Sequence, residues 1–356
     1  MDTAAVAPPF DSSSLGRPVE ITQIGSELKK LWEQDAGATT KASLVNFAVY
    51  FRGTESMAAN TTTVFEFTRQ HACRALLLCH EPGAPESRVS AWINAHCHLN
   101  KAGSKQVCCE QIAFLFEGET GTRIANTLFA SLDSDLPLYL WWQGEFPDPI
   151  DETLWAWVDR LIYDSQAWRN PREQFRLLHE SIERAQRRLI LCDLNWARSL
   201  HLRQALAMIF DHPENLALLD GLTAVTIAHA PEYYSTAVLL AGWLVAQLQL
   251  ADLTTTPAGF ATTGLNGGHV AFSLHAQPGR SLSVCELVAE AGSVRVQRDQ
   301  QGDFFRVEVR LSSGGGYHHL VPAGSNATTS LLLWELGGGS QHKVYRRALA
   351  VADRLL

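Results

Sequence analysis

The sequence contains none of the short motifs that announce common catalytic chemistries. It has no Gly-x-Ser-x-Gly elbow, no His-Glu-x-x-His, no Walker-type phosphate loop and no Cys-x-x-Cys, which removes the motif-based cases for hydrolase, zincin, nucleotide-triphosphatase and thioredoxin-like chemistry. No Gly-x-Gly-x-x-Gly turn follows the first apolar strand, which counts against a standard dinucleotide site. The nearest imitation of a phosphate loop, Gly337-Gly-Gly-Ser-Gln-His-Lys343, joins two helical stretches instead of following a strand, and is read as a flexible turn. No compact basic run offsets a net charge of −8, so neither nucleic acid nor an anionic membrane surface is an expected partner. The most apolar stretch, Tyr233 to Leu250, is broken by Ser235, Thr236, Gln247 and Gln249 and reads as a buried helix, not a membrane span. The first residues lack a basic n-region and a long apolar core, so no secretory signal is read. The seven cysteines are an odd set without secreted-scaffold spacing. Reduced, buried thiols and a cytoplasmic location are the expectation.

What is present is ordinary globular composition, 46% hydrophobic and 19% charged, enough for a sizeable core. At 356 residues two domains are expected. Residues 1–40 divide into an Ala-, Pro- and Ser-rich arm over 1–18 and an amphipathic helix carrying Ile21, Ile24, Leu28, Leu31 and Trp32 at helical spacing, with Gly37 as its stop. Over residues 41–168, apolar strands at 44–51, 74–79, 107–116, 138–142 and 160–164 alternate with helical stretches at 57–71, 121–132 and 151–158. That alternation predicts an α/β domain whose mainly parallel sheet is flanked by helices on both faces.

Residues 169–356 have a different texture. Pro171 suits the first turn of a helix over 171–188. A second helix is predicted over 195–210, a strand over 223–228 and the buried helix over 233–249. Segments 269–276, 282–289, 292–298 and 304–311 are then short and strand-like, with Gly-containing turns between them, and Val294/Val296 and Phe305/Val307/Val309/Leu311 alternate with polar residues, the mark of strands with one wet face. Asp299-Gln-Gln-Gly302 supplies turn chemistry between the last two. Helices over 326–336 and 341–355 complete a C-terminal α+β domain with antiparallel strands.

Several clusters invite a chemical reading. Asp133 and Asp135 stand just before a strand and read as solvated loop acids more readily than as an acid–base pair. His96-Cys97-His98, Cys108-Cys109 and Cys79-His80 carry zinc-type ligands, but neighbours on a strand point to opposite faces, which disfavours a shared metal. As redox candidates, Cys108 and Cys109 can bond each other only as a strained vicinal pair, whereas Cys73 or Cys79 can pair with a distant thiol where geometry allows; inert core thiols weigh above either reading. Ten tryptophans exceed ordinary usage. Trp141 and Trp142, adjacent on one strand, are expected on opposite sheet faces. Arg295, Arg298, Arg306 and Arg310 form a basic hairpin, read as solvated strand edges protected by charge.

The densest cluster is Asp193-Leu-Asn-Trp-Ala-Arg198, running on to Arg203. Asp193 or Asn195 can cap the helix that follows, leaving the other for tertiary contact. Leu202, Leu206 and Ile209 face the core, while Arg198 and Arg203 have the reach to meet a neighbouring domain or subunit. Asp193, Asn195, Trp196, Arg198 and Arg203, with Trp141 and Trp142, are therefore the candidates for a domain junction or a partner surface. A domain-locking Asp–Arg network weighs above direct partner contact.

These pieces occur in a recognisable order: His71-Ala-Cys-Arg74-Ala-Leu, Leu136 to Trp142, Arg160-Leu-Ile-Tyr-Asp-Ser165, the Asp193–Arg198 block, Leu240-Ala-Gly-Trp243-Leu and Val344-Tyr345-Arg-Arg-Ala-Leu349. In that order and spacing, from about residue 44 onward, the chain resembles the glucose-6-phosphate dehydrogenase assembly proteins, the OpcA family. The N-terminal arm and Cys108-Cys109 have no counterpart in the family pattern. The resemblance implies a non-catalytic helper with no cofactor or metal. Such a helper binds glucose-6-phosphate dehydrogenase, favours its active oligomer and so supports NADPH production by the oxidative pentose phosphate pathway. The competing class is a sensor or enzyme holding a sugar phosphate or nucleotide at the strand-end loops of the α/β domain.

Overall fold

A computed structural model describes residues 12–34, 39–41, 43–99, 106–120, 122–184, 189–257, 259–264, 266–299, 301–337 and 342–356. The chain divides into two compact units. One comprises the described residues up to Tyr163 together with His179–Leu191, the other Asp164–Leu178 and Cys192–Leu356.

The first unit is built on a sheet whose strands are β1 (Arg17–Val19), β2 (Thr39–Lys41), β3 (Val45–Arg52), β4 (Cys73–Glu81), β5 (Arg88–Leu99), β6 (Gln106–Glu117), β7 (Leu138–Trp142), β8 (Arg160–Tyr163) and β9 (Ile190–Asp193), of which β9 leaves the unit after Leu191. Their order is β1-β5-β6-β4-β3-β7-β8-β9, with β2 also paired to β6. The pairings β4–β6, β3–β4, β3–β7 and β7–β8 are parallel, whereas β5 meets both β6 and β1 in antiparallel fashion. β3 and β4 are almost wholly buried, as strands covered on two faces must be. Among the described residues, the helices α1 (Ile24–Gln34), α2 (Met57–Thr68), α3 (Arg123–Ser131) and the single turn α4 (Glu152–Trp155) belong here. Helix α2 lays Phe67 on Phe47, ring centroids 4.4 Å apart. On the opposite face of β3, Tyr50 stacks on Trp142 at 3.8 Å. Trp141 is in register with Val49, on the Phe47 side, so the two indoles do take opposite faces, and both are buried.

In the second unit, α5 (Pro171–Arg184, to Leu178 in this unit), α6 (Leu194–Arg198), α7 (Leu200–Ile209) and α8 (Ala217–Asp220) lead into an eight-stranded sheet. Its strands are β10 (Leu222–His229), β11 (Ala251–Thr256), β12 (Gly259–Thr263), β13 (His269–Ala276), β14 (Leu282–Ala289), β15 (Gly292–Arg298), β16 (Phe304–Leu311) and β17 (Gly316–Pro322). The order is β11-β12-β13-β10-β14-β15-β16-β17, and among the described residues only the β10–β13 pairing of this sheet is parallel. A right-handed helical crossover is the usual means of joining parallel strands, and α9 (Tyr234–Gln247) stands between β10 and β13 in the chain. Apolar on every side, α9 is buried along most of its length. The chain ends in α10 (Thr328–Gly337) and α11 (His342–Leu355). Gly242 lets α9 and α11 touch: a Cβ there would stand 2.5 Å from the Ala348 carbonyl oxygen.

Several expectations need correction. The arm predicted over 1–18 is structured where it is described, because Arg17–Val19 adds a strand to the edge of β5; residues 1–11 lie outside the described residues. The helix predicted over 195–210 is two helices, α6 and α7. At their junction Ser199 turns its hydroxyl back to donate to the Trp196 carbonyl, a local bond that competes with helix continuation. The continuation of α5 over 185–188, the Gly37 stop and the Gly338–Gly339 break lie outside the described residues. Strands β2, β5, β9, β11, β12 and β17 are not among those expected: β9 is only a four-residue stretch, Ile190–Asp193, and the others have polar, Thr- or His-bearing sequences without an apolar period. The expectation of reduced thiols also fails at one pair: Cys97 and Cys108 are disulfide-bonded. They stand directly opposite each other on β5 and β6, with Cα atoms 4.0 Å apart. Cys109, the neighbour of Cys108, is a free buried thiol.

Candidate functional site

The Asp193–Arg198 block forms one hydrogen-bonded knot inside the second unit. Asp193 ends β9 and is the N-cap of α6, its Oδ1 accepting from the Asn195 amide at 2.9 Å. The same oxygen accepts from the Ser165 amide at 3.0 Å, and Oδ2 accepts from the Ser165 hydroxyl at 2.7 Å and the Tyr345 hydroxyl at 3.1 Å. Capping falls to Asp193, so Asn195 is free for tertiary work. Its Nδ2 donates to the Ser165 and Ser235 hydroxyls at 2.9 and 3.1 Å, and its Oδ1 accepts from Thr236. One residue of the block thereby ties α6 to the start of α9, and the other ties it to α11.

The two arginines turn inward. Arg198 makes a two-pronged pair with Asp164, at 2.5 and 2.6 Å, while Asp164 also caps the Ser165–Ala167 turn. Arg203 is 5% exposed. Its guanidinium carbon lies 3.4 Å from the Trp196 ring centroid, and it donates to the Ser199 hydroxyl and the Trp196 carbonyl at 3.0 and 3.1 Å. A cation on an indole face is favourable where water is excluded. The outward reach expected of Arg198 and Arg203 is therefore not found: the apolar packing of Leu202, Leu206 and Ile209 rotates α7 so that Arg203 faces Trp196.

Burial dominates the electrostatics. It pushes the Asp193 carboxyl up from 3.8 to about 6, against the hydrogen bonds from Ser165 and Asn195, which favour the ionised form. Burial likewise lowers the Arg203 guanidinium to about 9. Each Asp193 oxygen accepts two hydrogen bonds from within the knot. Its acceptor capacity is used in holding the Ser165 turn, α6 and α11 together.

Four of the six segments that singled out this sequence thus meet in the second unit. Asp164-Ser165, the Asp193 block and the helix bearing Tyr345 meet at the Asp193 carboxyl, and the helix bearing Gly242 joins them through Asn195. Residues 65–180 match the family model described as the glucose-6-phosphate dehydrogenase subunit N-terminal domain, and residues 190–349 match the corresponding C-terminal domain. Together these matches cover more than three quarters of the chain. The chain belongs to the OpcA family. A putative OxPP cycle protein OpcA from Nostoc punctiforme is 30% identical over 188 residues, which are 52% of this chain and 39% of that relative. The match therefore spans well under half of the relative's length. Among solved structures, an aldose-aldose oxidoreductase from Caulobacter crescentus aligns with a TM-score of 0.46 at 10% identity, covering 87% of this chain and 96% of that one. A biliverdin reductase from Synechocystis aligns at 0.44 and 11%, covering 88% and 98%. Likeness at that level says nothing of activity.

The remaining candidates belong to the first unit. Trp141 and Trp142 belong to the sheet of the first unit and are 5% and 6% exposed, so neither offers a free indole face. Cys108 and Cys109 are fully buried on β6. Burial raises the Cys109 thiol, and a thiol so placed is a poor nucleophile. Large apolar side chains that do face solvent include Trp157 and Trp334, at 56% and 46% exposure. Neither stood out in the sequence, because exposure of a lone tryptophan leaves no periodic signal. Among the described residues no helix is long and apolar enough to cross a membrane.

Proposed function

We propose that this chain binds glucose-6-phosphate dehydrogenase and favours its active oligomer without a chemical step of its own, supporting the oxidative pentose phosphate pathway from the cytoplasm. The observation that carries this reading is the pair of family matches, both described as parts of a glucose-6-phosphate dehydrogenase subunit. The central carboxyl with its acceptor capacity internally used agrees with a scaffolding role. In this reading residues 41–168 and 169–356 act as the two functional domains. The Asp193 knot holds the shape of the second, and exposed indoles such as Trp157 and Trp334 supply contact area of the kind that concentrates interface energy.

Such a helper acts by linkage. Tighter binding to the active form shifts the equilibrium by the difference in affinity, and a coupling of about 1–3 kcal/mol changes apparent affinity by roughly 5–150-fold. The test is co-purification with the dehydrogenase of the same organism, combined with its activity and sedimentation across a titration of this protein. A complex with increased activity is expected. Absence of both a complex and any change in activity sinks the reading.

A further inference from the structure

One arginine of the second unit is buried without a hydrogen-bonding partner for its Nε. Arg298 is the last residue of β15 and shares the inward parity of Val294 and Val296. It was expected among the solvated arginines of the hairpin, yet it is only 8% exposed. Its guanidinium carbon lies 5.7 Å from the Phe305 ring centroid, and its Nε–H has no acceptor among the described residues. Burial and the nearby Arg280 both disfavour its charged form. A buried guanidinium with an orphaned donor is costly, and the cost is removed when an anion completes its hydrogen bonds.

The space beside Arg298 suits such an anion. A cavity of about 490 Å³ is lined by residues preceding two helices, Glu232 and Tyr233 before α9 and Ser325 and Asn326 before α10, and by the loop Gly279–Ser281. Helix starts favour negative charge. Ser281, itself 3% exposed, holds a left-handed backbone (φ 42°) that shapes this loop. Gly324, with φ 67°, closes the wall against His201, whose ring would stand 2.1 Å from an added Cβ. The remaining charge limits the ligand to one anionic group. Arg280 is paired with Asp303 at 3.7 Å, and Glu232 also lines the cavity, so a second anionic group would meet carboxylates. Those carboxylates, with the Ser325 hydroxyl and the Asn326 amide, are instead acceptors and donors for hydroxyl groups.

We propose that this cavity binds a small polyhydroxylated anion, with a single phosphate or carboxylate group seated on Arg298 and a sugar-sized body between Glu232 and Asp303. The volume lies within the range of small-molecule sites. The proposal goes beyond partner binding and does not depend on it, since it concerns the isolated chain.

The test is calorimetric titration of the full chain at low ionic strength with glucose 6-phosphate, gluconate, glucose and inorganic phosphate. Saturable binding of glucose 6-phosphate or gluconate, with glucose much weaker, is expected, and the stronger of the two identifies the anionic group. Arg298→Met removes the cation while keeping an unbranched apolar stem, and should weaken binding by about tenfold to a hundredfold. Arg280→Ala, at an exposed position, provides a second variant and should weaken binding less. Circular dichroism verifies the fold of each. No binding of either hydroxylated anion to the parent chain overturns the proposal. So does binding that Arg298→Met leaves unchanged, or an affinity for inorganic phosphate that no sugar-sized body improves.

Discussion

Asp193→Asn is the perturbation that most directly interrogates the knot, because it removes one titration while keeping the side chain's size. The carboxyl rises from 3.8 to about 6 on folding, chiefly through burial. A difference of about two units, at about 1.4 kcal/mol per unit, corresponds to roughly 3 kcal/mol of pH-dependent stability. Its sign follows from proton uptake. Between about pH 4 and pH 6 the folded chain holds a proton on Asp193 that the unfolded chain has released. The contribution is therefore complete below about pH 4, is lost as pH rises to about 6, and is flat above that. Asparagine has no such titration. The stability of the parent minus that of the variant should thus fall by about 3 kcal/mol between pH 4 and pH 7. The assay is urea denaturation of both proteins across that range, followed by circular dichroism and extrapolated linearly. Taking the difference cancels groups common to both, including His71, His80, His96, His98 and His201, which burial holds below their ordinary values. A difference that stays constant within about 0.5 kcal/mol, or that grows with pH, refutes the assignment of burial as the dominant influence on Asp193.

Three further outcomes follow from the same geometry. Tyr345→Phe deletes one donor to Asp193 Oδ2; it should cost about 1–3 kcal/mol at pH 7 and move the Asp193 titration still higher, both measurable in the denaturation series just described. Gly242→Ala places a methyl against the Ala348 carbonyl and should destabilise the second unit by about 1–3 kcal/mol, seen as a lower urea midpoint, whereas an unchanged midpoint would mean that α9 and α11 separate without cost. In the oxidised native protein the free thiols of Cys73, Cys79, Cys109, Cys192 and Cys285, all buried, should resist iodoacetamide. After reduction Cys97, the exposed member of the disulfide, should be the one that labels quickly by mass spectrometry, and fast labelling of Cys109 would contradict its burial.

The parts of the fold legible in the sequence are those where burial imposes a period. Segments 269–276, 282–289, 292–298 and 304–311 have the bounds expected from short apolar stretches between Gly-containing turns, and the last two also show the alternation of a strand with one dry face. Strands β11 and β17 escaped because they lie at the two ends of their sheet and their side chains are mostly wet; backbone pairing needs no apolar code. β5 escaped for a related reason, as His96, Cys97 and His98 interrupt any apolar pattern in Arg88–Leu99. The Asp193 block was visible as a cluster, and Asp193 is one of the two helix caps that its sequence offers. The direction of Arg203 was not, since a guanidinium that stacks on an indole two turns of chain away reads in sequence as a surface charge. Arg298 is the more instructive miss. It stands two and four residues beyond Val296 and Val294, the parity that identified β15 as a strand in the first place. Applied consistently, period two places Arg298 on the dry side and forbids the solvated reading. Buried arginines are rare, which is why its charge reads as solvated. Rarity is what makes such a residue informative: a strand that carries a guanidinium to the end of its inward face requires either a carboxylate to meet it or a cavity where an anion can, and β15 ends at a cavity.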